Sequence, residues 1–228
     1  MVAAVTIASL GYWAWAEVGP GAATEEEIEQ ALNDLVEDLE AQEANAEDGP
    51  SEARVPDPSV SEYRTWDASM TIDGVDLEVS LNGFVAPQAV ANFITLAQDG
   101  YYDQTGCHRL TTAGIFVLQC GDPEGTGQGG PGYTWGPIEN APEDDVYEAG
   151  VLAMARVGGD AESMGSQFFI VYEDSAIPSD SVGGYTVFGR VTGGLDQLTS
   201  AVIDQGTVDE VPDGTPLAPA EISSITIR

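Results

Sequence analysis

Apolar and polar residues alternate in short runs over the C-terminal three quarters of the chain, the period-two pattern of half-buried β-strands. The runs are Trp66–Ile72, Val75–Leu81, Cys107–Thr111, Phe116–Cys120, Val151–Ala155, Gln167–Tyr172, Thr186–Val191 and Ile222–Ile227. Turn residues separate most of them, which predicts a barrel or sandwich. Two segments switch to helical spacing. In the first, Pro87 suits the N1 position, Val90, Phe93, Ile94 and Ala97 form one face, and Gly100 supplies a left-handed stop. In the second, Leu195, Leu198 and Val202 repeat, with Gly206 beyond the end.

Upstream the pattern changes twice. Residues 1–22 are uncharged from Val2 to Ala16 and carry Tyr12, Trp13 and Trp15, side chains that favour a membrane interface. The stretch falls short of the about 20 apolar residues of a spanning helix and lacks a basic n-region. It is expected to be an N-terminal anchor or a signal remnant. Within residues 23–61, Ile28, Leu32, Leu35 and Leu39 recur at helical intervals in an acidic background, and Thr24 with Glu27 fits a capping box. Gly49, Pro50, Pro56 and Pro58 then predict an extended linker from Asp48 to Ser61. The folded domain is expected over 62–228.

The 228 residues, 43% hydrophobic, are enough for a real core. Charge narrows the function more than size does. Against 39 acidic residues stand six basic ones, all arginine, and a net charge of −33 repels nucleic acid and anionic lipid surfaces alike. Two cysteines and one histidine are too few for a zinc site or a disulfide scaffold, so no metal and no cofactor is expected.

Most candidate chemistries fail on context. Gly125 to Gly130 satisfies G-x-G-x-x-G, but Pro131, Gly132 and Pro137 follow where a nucleotide site needs a helix to open, so a surface loop is expected. Ser163 and Ser166 lack a base, because the single histidine, His108, lies in an apolar strand and reads as a hydrogen-bonded core residue. No carboxylate pair stands out among so many. Arg109 remains. Alternation puts it on one strand face, and if the chain turns back after Thr111, Gln119 lies nearly opposite. Either Arg109 has a function there or it pairs with one of the many carboxylates.

Read together, the motifs resemble the cyclophilin family of peptidyl-prolyl cis-trans isomerases from about Trp66 to the C-terminus. They are Cys107-His108-Arg109, Phe116-Val117-Leu118-Gln119-Cys120-Gly121-Asp122, Gly125-Thr126-Gly127, Ala153-Met154-Ala155, Gly165 to Ile170 and Val187-Phe188-Gly189. The resemblance implies an all-β fold, a closed eight-stranded antiparallel barrel capped by two helices. It implies Arg109 as catalytic arginine with Gln119 beside it. Phe116, Val117 and Phe169 would line a proline pocket, Gln167 would add a polar contact, and Ala155 with the backbone of Arg156 would border the peptide groove.

Three places depart from the family pattern. The segment Leu110–Ile115 is longer than in the common form, which allows Phe116 and Val117 to slip by one residue. Ile177-Pro178 and then Tyr185 stand where many members carry tryptophan and histidine, so Tyr185 is placed at the site's edge. Arg156 replaces an asparagine whose family contact is made through the backbone. Cys107 and Cys120 fall on neighbouring strands, yet parity sets them on opposite faces unless a bulge intervenes. The expected function is isomerisation of X–Pro bonds in protein clients, by a monomer anchored to a membrane or exported. The rivals are a non-catalytic barrel that holds proline-containing segments and a surface protein whose acidic helix recruits partners.

Overall fold

Strand β1 (Thr65–Ile72) folds back on β2 (Val75–Asn82) through Asp73-Gly74, both at positive φ (49° and 76°). That pair of angles gives the turn the twist that adjacent strands need. The register sets Ala68 against Val79 and Met70 against Leu77, so that the buried positions of the two strands share a face. The computed structural model describes residues 54–228 and, upstream, only the helical Gln30. The expectations for residues 1–22, and the acidic helix apart from Gln30, lie outside the described residues.

The other strands are β3 (Thr105–Gly106), β4 (Arg109–Thr111), β5 (Val117–Cys120), β6 (Val146–Tyr147), β7 (Val151–Met154), β8 (Phe168–Val171), β9 (Ser175–Ala176), β10 (Val187–Gly193), β11 (Asp213–Gly214) and β12 (Glu221–Ile227). All but two join one antiparallel sheet in the order β11-β4-β5-β8-β7-β10-β2-β1-β12-β3, while β6 pairs with β9 separately. The sheet therefore has ten strands rather than eight; the two extra ones, β11 and β3, are two-residue stubs at its edges. Only Cys107 and His108 separate β3 at one edge from β4 near the other, so the sheet is curled. Over residues 54–228 the architecture is a half-barrel of antiparallel strands with two α-helices.

Helix α1 (Pro87–Gln98) begins at proline as expected, and Gly100 follows its end at φ 69°. Its N-cap Ala86 has no side chain to offer; the carboxylate of Glu139 instead accepts the N–H groups of Gln88 (3.1 Å) and Ala89 (2.9 Å). The helix is buried well beyond its apolar stripe, because a 3-10 turn at Pro58–Ser61 packs against it. Gln88 Nε2 donates to Pro56 O (2.9 Å) and the Trp66 indole to Ser61 O (2.7 Å). Residues 56–61 thus belong to the folded unit and are not the extended linker expected there. Helix α2 (Leu195–Ala201) follows the Leu195/Leu198 spacing and gives way to a 3-10 turn that stops at Gly206.

Phe93, Tyr102, Phe168 and Phe188 centre the main core, with ring centroids 5.2–5.4 Å from Phe93. A second apolar cluster of Val117, Tyr147, Ala153, Phe169, Val171 and Ile177 lies on the other face of the sheet. Strand β8 serves both: Phe168 and Ile170 face the main core, Phe169 and Val171 the second cluster. That second cluster is the floor of the site.

Candidate active site

The site begins with an irregularity in the β4–β5 hairpin. Arg109 is paired with Gln119, and the N–H of His108 also donates to Gln119 O (3.0 Å), so two residues of one strand oppose one of the other. Such a bulge flips the parity of everything before it. Cys107 is thereby turned into the main core with Cys120, and the two form a disulfide. Parity counted along an unbroken strand had set them on opposite faces. His108 is not the hydrogen-bonded histidine expected in that strand. Both its ring nitrogens are buried without a partner, and burial lowers its pKa, with Asp122 acting in the opposite sense.

Beyond the bulge Arg109 points to the second cluster and is held from two sides. Its Nε and Nη2 donate to the two carboxylate oxygens of Asp213, each at 2.8 Å, and Nη1 donates to Gln119 Oε1 at 3.3 Å. The Asp213 hydrogen bond raises the pKa of the guanidinium against the effect of burial and in turn lowers that of the Asp213 carboxyl. Strand β11 brings Asp213 there by pairing with β4. Three of the five N–H groups are engaged, which leaves one on Nη1 and one on Nη2 for a ligand.

The polar chain continues away from the arginine. Gln119 Nε2 donates to Gln167 Oε1 (2.8 Å), and Gln167 Nε2 to Gly129 O (2.9 Å) in the glycine-rich loop. That loop is irregular, as expected. Asp122 moulds it by accepting the N–H groups of Glu124, Thr126, Gly127 and Gly129. Burial works to raise the Asp122 pKa, but these bonds prevail and lower it. Residue 129 must be glycine, since a Cβ there would lie 2.0 Å from Asp122 Oδ1.

A cavity of about 100 Å³ opens beside the arginine, lined by Arg109, Ile115, Val117, Gln119, Ala155, Arg156, Phe169, Ile177 and Tyr185. A wider cavity of about 430 Å³ adjoins it, with Gln119, Ala155, Arg156 and Gln167 on its wall beside the Gly127–Pro131 loop. Every sequence-predicted site residue except Phe116 therefore borders one of the two hollows. Phe116 packs its ring on Tyr172 (5.9 Å between centroids), and Ile115 takes the place expected for it. Ile115, Ile177 and Asp213 were not among the residues singled out. Ile177 is signalled by the departure from tryptophan and Ile115 by the one-residue slip that the longer Leu110–Ile115 segment allows; Asp213 has no signal.

Comparison with known proteins bears on this geometry. The family model described as cyclophilin type peptidyl-prolyl cis-trans isomerase/CLD matches residues 68–227. The probable peptidyl-prolyl cis-trans isomerase B of Mycobacterium tuberculosis is 37% identical over 172 residues, covering 70% of this chain and 53% of the relative. The chain thus spans about half the length of that relative. The peptidyl-prolyl cis-trans isomerase B of Bacillus subtilis is 46% identical over 125 residues, covering 54% of this chain and 81% of the relative. Among solved structures, a cyclophilin type peptidyl-prolyl cis-trans isomerase of Cryptosporidium parvum aligns with a TM-score of 0.60 at 29% identity, over 72% of this chain and 98% of that one. A second structure of that protein, obtained in the presence of the dipeptide Ala-Pro, aligns with a TM-score of 0.59. An arginine and a glutamine facing each other across a bulged hairpin, beside a hollow floored by apolar side chains and within a matched span of this length, place the chain in the cyclophilin-type peptidyl-prolyl cis-trans isomerase family.

Proposed function

We propose that the chain accelerates rotation about X–Pro peptide bonds in protein clients, with Arg109 as the catalytic residue. Rotation faces a barrier of about 18–20 kcal/mol because resonance gives the C–N bond partial double character. As the bond twists, the prolyl nitrogen regains a lone pair, and an N–H donor aimed at it binds the twisted state more strongly than the planar one. The observation that carries the proposal is the two-sided hold on Arg109 by Asp213 and Gln119, with two N–H groups left at the cavity. An arginine fixed beforehand needs no reorganisation as the reaction proceeds. No nucleophile is required.

In this reading Val117, Phe169, Ile115 and Ile177 hold the pyrrolidine ring still while the acyl side swings. Gln119 orients the guanidinium and Gln167 steadies Gln119. The wider hollow along Ala155, Arg156 and Gln167 takes the residues on either side of the proline, and Tyr185 closes the rim. The eight longer strands, with Cys107 and His108 linking the edges, favour a closed barrel around the main core. Phe116 acts only as a brace.

We also place the domain outside the cytoplasm, exported or tethered through residues 1–22. The Cys107–Cys120 disulfide supports this, since such bonds persist in oxidising compartments. No helix of the described residues is long and apolar enough to cross a membrane. A monomer fits a net charge of −33, which opposes self-association. Two experiments test these readings. The 228-residue chain should speed cis–trans exchange of an Ala-Pro peptide measured by exchange NMR; binding without acceleration would leave only a peptide-holding module. Fractionation should recover it outside the cytoplasm, and a purely cytoplasmic pool with reduced cysteines would overturn the placement.

A further inference from the structure

The side chain of Arg156 is only 1% exposed, against 39% for Arg109, although both line the small cavity. A charge so buried is tolerated only when its hydrogen bonds are met. Four are. Nε donates to Gly184 O (2.9 Å), Nη2 to Gly183 O (2.6 Å), and Nη1 to Val157 O (3.1 Å) and Asp180 Oδ2 (2.9 Å). Asp180 is itself fixed by the N–H groups of Gly159 (2.8 Å) and Val182 (3.0 Å), and its carboxyl lies well below the usual carboxylate range because of the Arg156 hydrogen bond. The guanidinium carbon also sits 4.8 Å from the centre of the Tyr185 ring.

Three of these four bonds, and the ring contact, fall on one segment. Residues 177–185 have little regular structure beyond a single bridge between Asp180 and Gly183 and a backbone bond from Ile177 N–H to Asp145 O (2.9 Å), so side-chain contacts do much to set their position. The same segment supplies Ile177 and Tyr185, one wall of the cavity, where Tyr185 meets Phe169 edge-on at 5.5 Å. We infer that the Arg156 side chain is a positioning residue that shapes the proline cavity by clamping this wall. The inference rests on the proposed isomerase function and goes beyond a groove bordered by the Arg156 backbone. It assigns Arg156 to substrate affinity and leaves the chemical step to Arg109.

Three variants test it: Arg156→Ala, Arg156→Lys and Asp180→Asn. The readouts are the dissociation constant of an Ala-Pro peptide by NMR titration, the KM and kcat of its isomerisation, and the melting temperature. Arg156→Ala should weaken binding and raise KM about tenfold, the scale of a lost contact in a small apolar pocket, with kcat nearly unchanged. Arg156→Lys should fall between, because an ammonium cannot serve all four acceptors or stack on the ring. Asp180→Asn should weaken binding least, since three of the four bonds survive. Unchanged peptide affinity with a lowered melting temperature would make Arg156 a fold brace and overturn the inference. If Arg156→Ala does not fold, the Lys and Asn variants decide on the same readouts. Failure of the unaltered chain to bind the peptide would instead sink the isomerase reading itself.

Discussion

Replacing Asp213 by alanine separates holding the catalytic arginine from merely having one. The substitution removes both 2.8 Å bonds to Nε and Nη2 and leaves Gln119 as the remaining partner, at 3.3 Å. The pair is partly exposed, 39% and 55% for the two side chains, so solvent screening limits its worth to stability to about 0.5–1 kcal/mol. The catalytic cost should be larger relative to that. A guanidinium freed at two of three points must be ordered again in each transition state, and about 1.4 kcal/mol for that ordering is tenfold in rate. Asp213→Asn, with one acceptor in place of two, should lie between. Exchange NMR on an Ala-Pro peptide gives the rate, and urea unfolding gives the stability. The carboxyl of Asp213 is depressed, chiefly by its bond to Arg109, so the ion pair is present above the ordinary carboxylate pKa and is lost as pH falls through the lowered folded value. The rate should therefore show no loss from this group between pH 7 and about pH 5. An Asp213→Ala protein that isomerises at least as fast as the unaltered chain would refute the reasoning, since it would make the carboxylate a competitor for the arginine.

Two further outcomes follow from the same hairpin. Replacing Cys107 and Cys120 together by alanine, or reducing the bond, should lower unfolding free energy by about 3 kcal/mol for a 13-residue separation and also slow isomerisation, because the bond pins the bulge that aims Arg109. Urea curves with and without reductant check the first effect, and unchanged midpoints would contradict it. Burial lowers the pKa of His108, so the unfolded chain takes up its proton first as pH falls. Stability from this group is present above the ordinary histidine pKa of about 6.5 and is lost as pH drops below it, levelling off below the depressed folded value. His108→Phe should remove that part of the acid sensitivity, seen as a narrowing gap between urea midpoints at pH 7.5 and pH 5; an equal gap in both proteins would count against it.

The two periodicities made the frame legible. Each of the eight alternating runs overlaps a strand of three or more residues, and the opposition of Arg109 and Gln119 follows from a chain that turns back after Thr111. What escaped were features with no local signature. The bulge at His108 adds one residue to one strand, and nothing in the apolar pattern marks it, so the sequence leaves the cysteine pairing open. Asp213 lies 104 residues from Arg109 and is one acid among 39, so its pairing depends on the β11–β4 contact alone. Phe116 gives way to Ile115 because alternation along β5 carries Val117 and Gln119 to the site and turns their neighbours elsewhere. The Arg156 clamp depends on a loop whose path no periodicity describes.

The central claim is that one prepositioned guanidinium lowers the barrier to rotation. Measuring peptide exchange and peptide binding side by side for Arg109→Ala tests it most directly, with near-ultraviolet circular dichroism to confirm the fold. Loss of a donor made only in the transition state should slow exchange about 100-fold or more while affinity changes by a few-fold. A correctly folded Arg109→Ala protein that exchanges the peptide at the original rate would contradict the account.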